Sequence, residues 1–165
     1  MKTLLIIRHA KSSWADLGQG DLERPLNDRG KKDAPMMAKR LKDQKIKIDL
    51  LVSSPAKRAN KTAKLFAEEL DLSKDNILVV KELYEASIDN FYKVVSHLQD
   101  KYDTVALFSH NPGITDFVNT LTNVHVDNMP TSSVFAVSID GDTWGKFKEA
   151  TKTFLFFDYP KKINE

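Results

Sequence analysis

Thr3-Leu4-Leu5-Ile6-Ile7-Arg8-His9 is a short apolar run that ends abruptly in charge. It is too brief for a helix and carries paired isoleucines, so it reads as a buried strand stopping at Arg8 or His9. Five further segments read the same way: Asp49–Ser54, Ile77–Val80, Thr104–Ser109, Val134–Ile139 and Thr151–Phe157. Helical patterns lie between them. Asn27 caps a helix whose apolar face is Ala34, Met37, Ala38 and Leu41, although Pro35 predicts a kink or a late start there. Ser54-Pro55 reads as an N-cap and first helical position before Ala59, Ala63, Phe66 and Leu70. Residues 88–99 present Phe91, Val94, Val95 and Leu98, and His110-Asn111-Pro112-Gly113 turns into a helix carrying Ile114, Phe117, Val118 and Leu121. Such alternation predicts an α/β fold: one three-layer domain over 1–165, with a mostly parallel central sheet and helices on both faces.

Composition narrows the function. The 165 residues are 41% hydrophobic and 29% charged, with only six glycines and six prolines, which excludes disordered and fibrous classes. A net charge of +2 supports no strong general attraction to a nucleic-acid backbone. Any bound anion needs locally placed charge. The absence of cysteine removes disulfide scaffolds, thiolate metal sites and cysteine nucleophiles. No apolar run approaches the roughly 18 residues of a membrane span, and Met1-Lys2 with so short a run makes no signal peptide, so a cytoplasmic monomer is expected.

In open sheets of this kind, ligands bind beyond the carboxyl ends of the strands. Those ends deliver Arg8, His9 and Ser12 from the first strand, and Ser53, Ser54 and Arg58 from the second. The fourth delivers Ser109, His110 and Asn111. Arginine forks match phosphate oxygens and stay charged at any working pH, so two arginines and two histidines at one rim point to a phosphate. His9 and His110 lack the spacing of a metal pair, and no metal or cofactor is expected. His97 and His125 carry no partner signal.

At these residues the sequence resembles the histidine phosphatase superfamily, whose members carry Arg-His-Gly after the first strand. Here that reads Arg8-His9-Ala10. Lys11-Ser12-Ser13-Trp14, Glu23-Arg24-Pro25-Leu26-Asn27-Asp28-Arg29-Gly30, Ser53-Ser54-Pro55-Ala56-Lys57-Arg58-Ala59 and Ser109-His110-Asn111-Pro112-Gly113 resemble its small phosphohistidine phosphatase branch, the SixA type. The resemblance runs from Met1 to about residue 140. It implies a phosphoglycerate mutase-like fold, His9 as the nucleophile that takes the phosphoryl group, and Arg8, Arg58 and His110 as the rest of the pocket. Ser12 and Asn111 are candidate phosphate contacts. A neutral His9 beside a charged His110 is the protonation pattern expected of the pair.

Three departures qualify the match. Ala10 replaces the usual glycine, which requires that the backbone there avoid positive φ. Ala15 stands where many members have an asparagine lining the pocket. Glu85, with Glu82 as runner-up, is the nearest candidate for the proton donor many members place after the third strand, a donor the SixA-like branch does not require. Without a donor, phosphate esters would expel a strongly basic alkoxide, whereas phosphohistidine expels an imidazole with a pKa of about 6.5. No connection looks long enough for a lid, since loops longer than about 15 residues would be needed. The expected substrate is therefore a phosphohistidine on a protein of the histidine-phosphotransfer type, with inorganic phosphate as product and a role in signal transduction. A phosphomonoesterase or mutase for a small phosphorylated metabolite, and a phosphate-binding module without turnover, are the alternatives.

Overall fold

The computed structural model describes residues 1–15, 18 and 20–162. Side-chain alternation along β1 (Lys2–Arg8) generates the layers. Leu4 and Ile6 enter one hydrophobic core, Leu5 and Ile7 enter the other, and all four are fully buried. The remaining strands are β2 (Leu50–Ser53), β3 (Ile77–Val79), β4 (Thr104–Ser109), β5 (Val134–Ile139) and β6 (Lys152–Asp158). They form a six-stranded sheet in the order β3-β2-β4-β1-β5-β6. The first four are mutually parallel, whereas β5 runs antiparallel to β1 and β6 antiparallel to β5. The sheet is thus mostly parallel, as expected, with an antiparallel edge.

Helices cover both faces. α1 (Asp28–Asp43) and α2 (Lys57–Glu69) bury Met37, Ala38 and Phe66 against Leu5, Ile7 and Phe108. On the other face, α3 (Ile88–Ser96) and α4 (Gly113–Val118) bury Phe91 and Phe117, stacked at 4.8 Å, against Leu4, Ile6 and Leu107. Among the described residues, no helix is long and apolar enough to cross a membrane.

Two local expectations are corrected. α1 starts at Asp28 and runs through Pro35, with no late start, and Asn27 Oδ1 accepts the Gly30 N–H at 2.9 Å. A proline inside a helix costs roughly 3 kcal/mol, and burying Met37 and Leu41 at about 1.5–3 kcal/mol each offsets it. α2 starts at Lys57 rather than at Pro55, and Ala56 precedes it without a side-chain cap. Ser54 belongs to the rim of the sheet, and its hydroxyl accepts the Ala56 N–H at 3.2 Å ahead of the helix. Its N–H donates to Phe108 O at 3.1 Å, and its hydroxyl lies 2.7 Å from His110 Nε2.

Candidate active site

Strand register brings the chemistry together. Arg8 pairs with Ser109 and Ser53 with Phe108, so β1, β2 and β4 end at one level and release His9, Ser54 and His110 side by side. The His9 N–H donates to Ser109 O at 3.1 Å. Behind them, the Ser132 N–H donates to the carbonyls of both Arg8 and His9 at 3.1 Å. Arg58 arrives as the second residue of α2 with its side chain only 6% exposed. Thr62, one turn further, ties the two segments together: its hydroxyl donates to Arg58 O at 2.7 Å and accepts the Ala10 N–H at 2.9 Å. Ala10 is fully buried and its φ is not positive, which satisfies the condition for losing the glycine.

The His9 and His110 rings lie 5.1 Å apart between centroids, tilted by 51°. His9 Nδ1 is 2.7 Å from Ala10 O, an acceptor only, so Nδ1 carries the hydrogen and Nε2 keeps the lone pair. Burial holds His9 well below its ordinary pKa, and the nearby His110, Arg58 and Arg8 press the same way. His9 is neutral, as expected. His110 is not charged as expected: burial first, and then Arg58, push it down to about 3. Burial takes the charged ring out of solvent, and the arginine cluster adds repulsion against another cation.

That cluster is larger than the sequence suggested. Arg24 joins Arg8 and Arg58, and mutual repulsion adds to burial in lowering both Arg8 and Arg24. Arg8 Nη1 donates to Met129 O at 2.8 Å. Arg58 Nη1 and Nη2 donate to the carbonyl and Oδ2 of Asp21 at 2.7 and 3.0 Å, and Tyr84 OH donates to the same Oδ2 at 2.5 Å. Arg24 donates to the Ser12 hydroxyl and stacks 3.7 Å over the exposed Trp14 ring. Four buried nitrogens on these residues, Nε of Arg8, Arg24 and Arg58 and Nδ1 of His110, have no hydrogen-bond partner among the described residues. Unpaired buried donors on the three guanidinium groups are what an oxyanion satisfies.

A cleft of about 540 Å³ opens over the rim, lined by Asp21, Arg24, Arg58, Tyr84, Glu85 and His110 together with the start of α4. The expectation that no connection covers the site is corrected. Asp21 and Arg24 of the connection before α1 line it, and the turn at Asp21–Glu23 is fastened there by the ion pair of Asp21 with the buried Arg58. Glu85 is exposed and lines this cleft, whereas Glu82 lines a separate groove with Leu50, Val80 and Tyr102. The Asn111 amide is occupied elsewhere: it donates to Asn128 Oδ1 and Met129 O and accepts from Thr115 at 2.6 Å. Ala15 is exposed, with its N–H on Ser13 Oγ. His97 and His125 lie outside the site, bonded to Lys93 O and Asp127. Among the described residues, no group of three or more His, Asp or Glu side chains is arranged to hold a metal ion.

Residues 4–93 match the family model for the histidine phosphatase superfamily, branch 1. The chain belongs to the histidine phosphatase superfamily. The matched region contains Arg8, His9 and Arg58, and β4 brings in His110 from beyond it. The chain is 28% identical over 153 residues to an uncharacterized chloroplastic protein of Arabidopsis thaliana, covering 87% of this chain and 69% of that protein. It is 36% identical over 107 residues to phosphoserine phosphatase 1 of Hydrogenobacter thermophilus, covering 62% of this chain and 47% of that one. The chain thus spans about half the length of this second relative. In fold it resembles the protein histidine phosphatase SixA solved with tungstate, with a TM-score of 0.82 at 24% identity over 96% of this chain and 97% of that one. A mycobacterial glucosyl-3-phosphoglycerate phosphatase shares the fold at a TM-score of 0.70 and 17% identity, covering 94% of this chain and 97% of that one. Family membership and fold together support a phosphatase enzyme.

Proposed function

We propose that this chain hydrolyses a phosphoryl group through a covalent phosphohistidine on His9, acting on phosphohistidine carried by another protein. The observation that carries the reading is the hydrogen bond from His9 Nδ1 to Ala10 O, which leaves Nε2 as a neutral, oriented lone pair near Arg8 and Arg58. In the first step the Nε2–P bond forms while the bond to the leaving group breaks. Water then attacks the phosphorus and returns His9 and inorganic phosphate. Arg8, Arg58 and His110 hold the phosphoryl oxygens, and the Ser54 hydroxyl orients the His110 ring from behind at 2.7 Å. An incoming phosphoryl dianion offsets the repulsion among the arginines and draws a proton onto His110. Asn111, at the edge of the cleft, braces the loop around Met129, and Ser12 holds Arg24.

A second reading is a phosphomonoesterase for a small phosphorylated metabolite. Glu85 favours it, since its carboxyl lines the cleft where a leaving alkoxide would need a proton. Comparative turnover decides between them. The first reading expects kcat/KM for a phosphohistidine protein to exceed that for phosphoserine and sugar phosphates by at least about a hundredfold, with little loss in Glu85→Gln. Preference for an ester, lost in Glu85→Gln, establishes the second.

A further inference from the structure

Asp21 is an odd residue to find in a site built for anions. Its carboxylate faces Arg24 on its own segment, Arg58 on α2, Tyr84 beyond β3 and His110 at the end of β4. A carboxylate there weakens the pull of the arginines on an incoming phosphate. Holding Arg58 in place does not require it, because the Asp21 backbone carbonyl already accepts from Arg58 Nη1 at 2.7 Å. We infer that Asp21 is a specificity-determining residue that selects a nitrogen leaving group, its carboxylate accepting a hydrogen bond from the second ring nitrogen of the substrate phosphohistidine. This rests on the phosphohistidine reading above.

The geometry gives the carboxylate both an anchor and a free side. Oδ2 is fixed by Arg58 Nη2 and Tyr84 OH, whereas Oδ1 has, among the described residues, only a long 3.4 Å contact with Arg24 Nη2. The side chain is 48% exposed and lines the cleft, where a leaving group departing from a phosphoryl held by His110 and Arg58 would emerge. The hydrogen bond from Tyr84, with help from Arg58, holds the Asp21 carboxyl down at about 2. It is therefore ionised at every working pH and has no proton to give an alkoxide. What it can do is stabilise a cation. A phosphoimidazole protonated on its second nitrogen expels neutral imidazole when His9 Nε2 takes the phosphorus: the P–N electron pair returns to the departing ring, and the proton on the second nitrogen stays where it is. The unprotonated ring would have to leave as the far more basic imidazolate. By accepting from that N–H, Asp21 favours the reactive form of a phosphohistidine and offers no comparable help to an ester.

The test compares Asp21→Asn with the native chain on a phosphohistidine protein and on p-nitrophenyl phosphate. Asn keeps the shape and the backbone carbonyl but not the charge. The ratio of kcat/KM for phosphohistidine to that for the ester should fall at least tenfold, and the basic limb of the phosphohistidine pH profile should move to lower pH. Asp21→Ala should give the same split. A ratio unchanged in both variants, with both substrates slowed alike, makes Asp21 a mere brace for Arg58 and overturns the inference. Equal gains on both substrates, with tighter inhibition by inorganic phosphate, make it a plug and overturn it too. A native chain that hydrolyses the ester but no phosphohistidine overturns the substrate reading first, before either variant is compared.

Discussion

His9 and His110 face one another at 5.1 Å between ring centroids, and burial keeps both rings neutral in the free pocket. One neutral imidazole is what a nucleophile requires. Two of them leave His110 to acquire its proton only when an anion arrives.

Anion binding should therefore take up a proton. Calorimetric titration with orthovanadate at pH 7, repeated in buffers of different ionisation enthalpy, should show net uptake that His110→Gln loses. Equal heats after buffer correction in both proteins would remove His110 from this role.

The same depressed pKa sets a pH dependence of stability. An imidazole at about 3 in the folded chain and near 6.5 unfolded is neutral in both states above pH 6.5, where it has no effect. Between roughly 6.5 and 3 the unfolded chain binds the extra proton, so stability falls as pH falls. At about 1.4 kcal/mol per unit the full effect is a few kcal/mol. Urea unfolding from pH 7 to pH 4 should show a steeper decline for the native chain than for His110→Gln.

Arg58→Ala should lower kcat/KM by about 10²–10³, the scale of roughly 2.7–4 kcal/mol for one lost oxyanion donor, with KM changing much less than kcat. Steady-state kinetics on p-nitrophenyl phosphate measure this. A loss confined to KM would make Arg58 a substrate-binding group alone.

Thr62→Val should destabilise by about 1–3 kcal/mol, because it leaves the buried Ala10 N–H without an acceptor while conserving side-chain volume. Denaturant midpoints report it. A neutral result would mean that water replaces the hydroxyl.

How much of this was legible in the sequence depends on the range of the interaction. The six strands, the Asn27 cap and the three strand ends carrying Arg8, His9, Ser54 and His110 were visible because periodicity and punctuation are local signals. The charge state of His110 was not, since it comes from burial and from an arginine on a different element. Ser54 followed by proline looks like a cap, and its hydroxyl does accept the Ala56 N–H, but only the pairing of β2 with β4 reveals that it also meets His110. Asp21, Arg24 and Tyr84 were missed for the same reason: their meeting spans residues 21 to 84, and no spacing rule relates them. The acidic residue in the Asp21-Leu22-Glu23-Arg24 stretch, opposite an arginine already assigned to the pocket, was the one available hint.

The central claim is that His9 Nε2 accepts the phosphoryl group. Rapid-quench mixing with a ³²P-labelled phosphohistidine protein, followed by peptide mapping of the denatured enzyme, tests it most directly. The account predicts a transient acid-labile, alkali-stable label on His9 that forms and decays within turnover and is missing from His9→Ala, which is inactive. Turnover at the normal rate by His9→Ala, or a label on any other residue, would contradict it.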